Sequence, residues 1–318
     1  MQIERYRAAP HLGPKLLFFS GGSALKGLSQ TLIGYTHNSM HIITPFDSGG
    51  SSAELRKAFK MPAVGDIRNR LMALADQSIT GNPAIYSLFS YRLPKEAQND
   101  LLLLELSQMA RGKHDLVAQI PDPMRKIIKH HLESFLQNMP REFDLNGASI
   151  GNLILAAGYL EHNHHLDPVI YIYSKLVEVR GVVRPVVSND LHLVARLENG
   201  ELICGQHLLT GKECRHIDSK VEDFYLSQNL TDPVRVEIRD KVQSLIEQAE
   251  LNPLIPMGKF LLQSYRQPAP PGGGHQDFPK QLPQGLCPQH LPGPGMLQLK
   301  LERTGPVSAQ LPAKRRFF

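Results

Sequence analysis

Two glycine-rich stretches contain the residues best suited to hold an anion. The first reads GGSALKG over residues 21–27, and the second reads FDSGGSS over residues 46–52. Glycine lets the backbone approach a ligand closely, and a helix that begins directly after such a loop presents free N–H groups to a phosphate. In the second stretch, the carboxylate of Asp47 adds a group that can bind a metal ion or a sugar hydroxyl.

Neither stretch matches a standard nucleotide-binding motif. The Walker A loop requires Lys and then Ser or Thr after its last glycine, but Gly27 is followed by Leu28. The glycine spacing also differs from the G-x-G-x-x-G pattern of dinucleotide-binding folds. Each stretch alone is explained as a tight turn between a strand and a helix, so a ligand site depends on the two stretches lying together.

The elements around the two stretches predict that they meet. Residues 15–20 (KLLFFS) and 41–46 (HIITPF) read as buried strands, and an amphipathic helical pattern follows each glycine stretch. Ser51 or Ser52 is the expected N-cap of the second helix. Alternating strands and helices indicate an α/β fold with a mostly parallel sheet, in which ligands bind beyond the carboxyl ends of neighbouring strands.

The rest of the chain predicts a helical insertion and then further strands. Residues 95–140 read as helix throughout, with one apolar stripe that has His131 at its edge. Residues 182–187 and 191–209 read as strands, with Asn199-Gly200 as a hairpin turn. A further helix is expected from Pro233 onward.

Charge and composition argue against nucleic-acid and membrane partners. Residues 266–318 hold seven Lys or Arg against two acidic residues, which accounts for the whole net charge of +5. The body of the chain is therefore neutral and offers no large positive field to a polyanion. No apolar run approaches the roughly 20 residues of a membrane span. Three cysteines without metal-ligand spacing fit a reducing cytoplasm.

Four stretches of the sequence resemble the CofD/YvcK superfamily. They follow the family's order and read FFSGGSALKGLSQTL, ITPFDSGGSSAELRKAFKMPAVGDIRNRLMALAD, ASIGNLILAAGYL and VRPVVSNDLHLVARLENGELICGQHLL. The resemblance spans most of residues 15–258 and is strongest to the bacterial CofD-like branch of the GAK system. It implies a Rossmann-like, three-layer α/β fold that binds a nucleotide or nucleotide-sugar, and it leaves a homo-oligomer open.

The resemblance also implies which residues line the ligand site. Carried over by motif, these residues are Gly21, Gly22, Ser23, Asp47, Gly49, Gly50, Ser51, Ser52, Asp66, Arg68, Asn69, Gly151 and Asn152. Asp47 and Asp66 would be the catalytic groups that orient an acceptor or bind Mg²⁺ through oxygen ligands. Arg68 would offset phosphate charge. The alternative roles are a surface ion pair for Arg68 and stabilisation of a helix start for Asp66.

The family contains two functions, and the resemblance leaves both open. One arm is the 2-phospho-L-lactate transferase of deazaflavin coenzyme biosynthesis, which uses a guanylylated phospholactate and magnesium. The other arm is the YvcK gluconeogenesis factor, which is similar to a UDP-sugar-binding regulator without established catalysis. Many relatives carry paired aspartates where this chain has Asp47-Ser48, and the loss of one carboxylate weakens the case for metal-dependent transfer.

The end of the chain departs from the family. Ten of the 24 prolines lie in residues 266–318, and this composition predicts disorder. Codons chosen for this segment and read one nucleotide late can give family-like strings. We therefore expect a CofD-like domain over residues 1–258 and a frameshift near Gly258-Lys259, with a natural disordered tail as the alternative.

A histidine-rich motif is the remaining candidate site. His162, His164 and His165 could bind zinc, but their spacing scatters the rings around a helix end. The alternative is a turn exposed to solvent.

Overall fold

Three parallel strands form the sheet that carries the two glycine stretches. In the computed structural model they are β1 (Leu16–Ser20), β2 (Ser39–Ile43) and β3 (Val182–Pro185), hydrogen-bonded in the order β1-β2-β3. Ser20 pairs with Ile43, so both strands end at the same edge of the sheet. The structure describes residues 2–21, 25–78, 80–210 and 217–249, together with the strands at 258–263 and 298–303.

Helices surround this sheet and supply most of the regular secondary structure of the described residues. They are α1 (Gln2–Ala8), α2 (Lys26–Leu32), α3 (Gly50–Phe59), α4 (Gly65–Ala73), α5 (Pro83–Ser90), α6 (Asn99–Ala110), α7 (Asp115–Ala118), α8 (Met124–Asn138), α9 (Ile150–Glu161), α10 (Leu166–Leu176), α11 (Gln206–Thr210) and α12 (Arg239–Gln248), with a 3-10 turn at Pro10–Leu12. Residues 95–140, all of them described, contain α6 to α8 and no strand, which confirms the helical insertion.

The parallel sheet is buried on both faces. Ile43 packs into a large apolar cluster with α4 to α10, whereas its neighbour Ile42 packs into a second cluster with Phe46. Successive side chains of a strand point to opposite faces, so β2 contributes to both clusters. The second cluster is closed by an antiparallel sheet and α12. The α/β fold class with three layers is confirmed.

The antiparallel sheet contains β4 (His192–Leu197), β5 (Leu202–Cys204) and β6 (Val221–Ser227) in the order β5-β4-β6. The predicted hairpin turn is confirmed, because β4 and β5 pair across Asn199 and Gly200 and Gly200 has φ +85°. The predicted helix start at Pro233 is wrong. The N–H of Val236 donates to the carbonyl of Leu226 at 2.7 Å, so this segment extends along β6 and α12 begins only at Arg239.

Two further strands follow α12, and the second lies in residues 266–318, the segment whose composition predicts disorder. They are β7 (Gly258–Gln263) and β8 (Gln298–Arg303), and they pair antiparallel. The remaining residues after 249 lie outside the described part of the chain. The domain boundary at residue 258, the disorder and the frameshift therefore stay predictions.

Candidate functional site

The second glycine stretch forms the turn between β2 and α3. Gly49 occupies the N-cap position of α3 with an extended backbone, and its N–H donates to Oδ1 of Asp47 at 3.1 Å. The predicted Ser51 or Ser52 cap is wrong, because both serines lie within the first turn of the helix. Gly50 has φ +51°, a left-handed conformation that favours glycine. The turn is thus closed by the Asp47 carboxylate. The hydroxyls of Ser51 and Ser52 do not cap the helix and can contact other groups.

Three polar side chains converge on Gly65, the first residue of α4. A Cβ atom on Gly65 would lie 2.5 Å from Oγ of Ser52, 3.4 Å from Oδ2 of Asp47 and 3.9 Å from Nδ2 of Asn152. Nδ2 of Asn152 also donates to Oγ of Ser51 at 3.2 Å. The structure therefore brings predicted residues from the loop, α3 and α9 together at one point. Gly65 itself lay within the GDIRN motif but was not predicted as a site residue.

A buried arginine, which the sequence reasoning missed, holds this loop in place. Arg56 on α3 is 4% exposed and donates to the carbonyls of Phe46 and Asp47, both at 3.3 Å. Its Nη2 also donates to Oδ1 of Asp190 at 2.6 Å and to the carbonyl of Leu191 at 2.7 Å. Arg56 thereby joins the loop to the segment before β4. In the sequence, Arg56 is one basic residue of an ordinary helical pattern, and nothing marks it as buried.

A second buried arginine supports the first glycine stretch. Arg70 on α4 is fully buried, and its Nη2 donates to the carbonyl of Gly21 at 2.9 Å and to Oγ of Ser20 at 3.0 Å. Its Nη1 donates to the carbonyl of Leu25 at 2.9 Å and to Ser29. Arg70 therefore binds both ends of this stretch. Gly22 and Ser23, which were predicted to line it, lie outside the described residues.

The charge of Arg70 is preserved despite its burial. Burial lowers the pKa of Arg70 to about 10, while the negative charge of Asp66 acts in the opposite direction. The guanidinium stays protonated at neutral pH, and its hydrogen bonds within the described part of the chain end on uncharged oxygens. Gly21 and Leu25 thus lie next to a buried positive charge. Asp66, in the first turn of α4, is part of the same electrostatic environment.

Arg68, Asn69 and Gly151 form a separate set of contacts. Arg68 donates to Oδ1 of Asn69 at 2.7 Å and to the carbonyl of Phe89 at 3.3 Å, and burial lowers its pKa. A Cβ atom on Gly151 would lie 2.6 Å from the hydroxyl of Tyr173, so this glycine permits close packing of α9. These contacts face α5 and α10. The ligand-binding roles of the three residues stay predictions.

Ser48 contacts a histidine that sequence reasoning also missed. Oγ of Ser48 lies 2.7 Å from Nδ1 of His207 on α11, and the backbone N–H of His207 donates to the same oxygen at 3.0 Å. The two residues are 159 positions apart, so no local pattern connected them. The residue after Asp47 thus carries a hydroxyl that is bonded to an imidazole.

The donor set around Gly65 fits a hard cation. Oxygens of Asp47 and Ser52 lie there, whereas Asn152 presents Nδ2 to this point and its buried Oδ1 has no hydrogen-bond partner within the described residues. Magnesium prefers oxygen ligands, commonly takes one or two carboxylates and keeps several waters. A zinc-type site is not found: the described residues contain no group of three or more His, Cys, Asp or Glu that could hold a metal.

The histidine-rich motif forms a turn. Helix α9 ends at Glu161, and Nδ1 of His162 lies 2.7 Å from the carbonyl of Gly158. Asn163 and His164 both have positive φ, at 52° and 63°. His131, predicted at the edge of the α8 stripe, is instead buried at 3% exposure against the end of α9.

Comparison with known proteins assigns the chain to a family. The family profile described as "2-phospho-L-lactate transferase CofD" matches residues 16–255. The chain belongs to the CofD family. Members of this family that resemble it include the "Gluconeogenesis factor" of Bacillus subtilis (strain 168), which is 29% identical over 224 residues, or 70% of this chain and 52% of that protein.

Two further matches, one to a sequence and one to a solved structure, cover a similar share of the chain. The "Gluconeogenesis factor" of Halalkalibacterium halodurans is 26% identical, covering 69% of this chain and 51% of its own length. The crystal structure of a UPF0052 family member from Bacillus halodurans aligns with TM-score 0.46 and 25% identity, covering 70% of this chain and 54% of that one. The chain spans about half the length of the curated relatives it matches.

Among the described residues, no helix combines the length and the apolar character needed to cross a bilayer.

Proposed function

We propose that this CofD family member binds a nucleotide-diphosphate-type ligand in the crevice between its two glycine stretches. The observation that carries the proposal is the convergence of Asp47, Ser52 and Asn152 around Gly65. These side chains offer a carboxylate, a hydroxyl and an amide at the carboxyl edge of the parallel sheet. In open α/β sheets ligands bind at this edge, where the ends of neighbouring strands form a crevice.

The phosphates of such a ligand would interact with both stretches. The start of α3 at Gly50 supplies free backbone N–H groups, which favour an anion. The guanidinium of Arg70 lies beneath the other stretch and makes its hydrogen bonds within the described part of the chain to uncharged oxygens. A bound phosphate would therefore add negative charge next to the buried guanidinium, whose pKa the charge of Asp66 already raises.

Transfer of a phosphorus-containing group, of the 2-phospho-L-lactate transferase type, is the proposed activity. Asp47 would hold magnesium through Oδ2, with Oγ of Ser52 as a neighbouring oxygen. When bound, the ion would neutralise the charge that develops on the phosphate oxygens. Arg56 would keep the Asp47 backbone in register with the ligand, since it binds the carbonyls of Phe46 and Asp47. Asp66 is proposed as the second acidic group at the site.

A regulator that binds a UDP-sugar without transfer is the second candidate. Two observations favour it: the relatives from Bacillus subtilis and Halalkalibacterium halodurans are named gluconeogenesis factors, and Ser48 offers a hydroxyl bonded to His207 where a carboxylate would assist metal binding. In this case Asp47 would accept hydrogen bonds from sugar hydroxyls. A cytoplasmic location is proposed with either function.

Isothermal titration calorimetry with GDP, GTP and UDP-sugars, each with and without magnesium, tests both candidates. Magnesium-dependent binding of a guanine nucleotide supports the transferase, and metal-independent binding of a UDP-sugar supports the regulator. We expect Asp47→Ala to weaken binding of the preferred ligand at least tenfold, as loss of a charge-assisted contact predicts. Unchanged affinity in this variant would remove the second glycine stretch from the site.

A further inference from the structure

Ser48 and His207 form a pair to which the proposed transfer gives no role. Oγ of Ser48 lies 2.7 Å from Nδ1 of His207, and both residues are half-buried rather than enclosed in the core. A serine hydroxyl within hydrogen-bond reach of an imidazole can act as a nucleophile, because the ring accepts the hydroxyl proton as the oxygen attacks. Ser48 also lies in a turn between a strand and a helix, as the nucleophilic serine of α/β-hydrolases does.

Gly205 allows the imidazole to reach the hydroxyl. It has φ +110°, and its N–H donates to the carbonyl of Leu193 in β4 at 2.8 Å. A Cβ atom on Gly205 would lie 2.9 Å from Cε1 and 3.0 Å from Nδ1 of His207, and 3.4 Å from Oγ of Ser48. The ring and the hydroxyl therefore meet in the space that a side chain would fill. Packing against this backbone orients the ring, as a nucleophile's base requires.

The hydrogen bonds of Ser48 leave its oxygen able to attack. Oγ accepts the backbone N–H of His207 at 3.0 Å, and a hydroxyl has one proton and two lone pairs. When the hydroxyl donates its proton to Nδ1, one lone pair therefore stays available to a substrate. Nδ1 faces a hydroxyl, which can donate, so the contact fits the ring tautomer that carries its proton on Nε2. The backbone N–H would also stabilise negative charge that develops on Oγ.

The pair adjoins the groups that the proposed function assigns to phosphate binding. A Cβ atom on Gly49 would lie 3.6 Å from Oδ1 of Asp47 and 3.9 Å from Cβ of His207, so the carboxylate and the histidine flank the same point. Gly50, the first residue of α3, comes two positions after Ser48, and the first turn of a helix has N–H groups without intrahelical partners. A phosphate bound at the start of α3 would therefore lie next to the Ser48 hydroxyl.

We propose that Ser48 is a catalytic nucleophile, with His207 as its base, and that group transfer passes through a phosphoserine. The inference rests on the transferase form of the proposed function and adds a covalent intermediate to it. Ser48, which offers no second carboxylate for metal binding, thus supplies a different route for the transfer.

The transfer takes two steps. In the first, Oγ of Ser48 attacks the phosphorus of a phosphate anhydride in the nucleotide ligand, and an O–P bond forms. The bond from phosphorus to the bridging oxygen breaks, its electron pair leaves with the nucleotide, and the hydroxyl proton moves to Nδ1 of His207. In the second, the hydroxyl oxygen of an acceptor alcohol or water attacks the phosphorus. The bond from phosphorus to Oγ breaks, Ser48 takes back the proton from Nδ1, and the acceptor's own proton is released to solvent.

A fluorophosphonate ester tests the nucleophile on the full chain without any nucleotide. Its phosphorus forms a bond with an activated serine oxygen and releases fluoride. Mass spectrometry of tryptic peptides should find the adduct on Ser48. It should not find it on Ser78, an exposed serine whose Oγ lies 2.7 Å from the hydroxyl of Thr80 instead of an imidazole. Equal labelling of the two serines, or none of Ser48, would overturn the proposal.

The variant His207→Asn separates the base from a structural contact. The asparagine amide can keep a hydrogen bond to Ser48 but cannot take its proton, so labelling of Ser48 should slow about a hundredfold while urea unfolding stays as in the unmodified protein. Labelling at the unmodified rate would show that His207 only holds the turn, and would overturn its role as base. If the variant does not fold, the comparison of Ser48 with Ser78 on the unmodified chain decides alone.

Incubation with GTP then tests the intermediate itself. Tryptic peptides should show a phosphoryl group on Ser48, and Ser48→Ala should carry none. Calorimetry with GTP on the same preparation keeps this inference apart from the proposed function. Binding of GTP without labelling of Ser48 by either reagent would overturn the inference and leave the nucleotide site standing. Labelling of Ser48 by the fluorophosphonate without any nucleotide binding would support the pair and contradict the proposed ligand.

Discussion

Nη2 of the buried Arg56 lies 2.6 Å from Oδ1 of Asp190, which is 134 residues further along the chain. The same guanidinium binds the backbone of Phe46 and Asp47, so one side chain connects the candidate ligand loop to the segment that leads into the antiparallel sheet. The position of the Asp47 carboxylate therefore depends on the contact between α3 and the segment before β4.

Replacement of Arg56 should destabilise the protein. Arg56→Ala removes one partner of a buried ion pair and leaves two loop carbonyls without a donor, which typically costs about 3 kcal/mol. Arg184→Ala is the matched control, because the pair of Arg184 with Asp167 is 37% and 44% exposed, and such pairs contribute about 0–1 kcal/mol. Urea unfolding measures both. Similar losses in the two variants would contradict the role given to Arg56.

A methyl group at Gly65 should impair ligand binding. In Gly65→Ala the new Cβ would lie 2.5 Å from Oγ of Ser52, which forces Ser52 and its neighbours Asp47 and Asn152 apart. We expect at least a tenfold loss of nucleotide affinity in calorimetry, equivalent to about 1.4 kcal/mol. Gly34→Ala is the control, since its nearest atom, the carbonyl oxygen of Thr31, lies at 3.4 Å. Undiminished binding by Gly65→Ala would place the ligand elsewhere.

His41 should make stability depend on pH. Burial lowers the pKa of His41 to about 3, against 6.5 in an unfolded chain. Between these values the unfolded state binds a proton that the native state does not, so stability is complete above pH 6.5 and falls as the pH is lowered. The expected slope is about 1.4 kcal/mol per pH unit from this residue.

Urea unfolding of His41→Phe between pH 7 and pH 5 measures that contribution. Phenylalanine keeps an aromatic ring next to Phe18, on which His41 stacks with ring centroids 4.9 Å apart. In His41→Phe, the free energy of unfolding should fall less steeply as the pH is lowered, because the contribution of His41 is gone. His164→Gln, which replaces an exposed histidine, should keep the pH dependence of the unmodified protein. An unaltered slope in His41→Phe would mean that His41 does not titrate as its burial indicates.

The coding DNA tests the predicted frameshift near Gly258-Lys259. We expect the alternative frame beyond this point to encode a family-like strand and a third glycine loop. A frame-corrected protein should then bind nucleotide more tightly than the present chain. Early stop codons in the alternative frame would contradict the frameshift and favour a natural tail.

Local patterns were sufficient for the elements that surround the crevice. The apolar runs before each glycine stretch predicted β1 and β2, and their parallel pairing placed the two stretches at one edge, as expected. Asn199-Gly200 predicted its hairpin because a short turn depends on its own backbone preferences. The start of α12 was wrong because a strand contact at Val236 outweighed the preference of Pro233 for a first helical turn.

By itself, the sequence determined the family, the α/β class and the two strands that end beside the glycine-rich stretches, since these depend on short-range pattern and on motif order. Only the tertiary structure decided which groups meet there. Arg56 contacts Asp190, and Ser48 contacts His207, across more than a hundred residues of sequence. Gly65 is important because Ser52 and Asp47 pack where a Cβ atom would lie. Such contacts arise from the packing of distant segments, so no spacing along the chain records them.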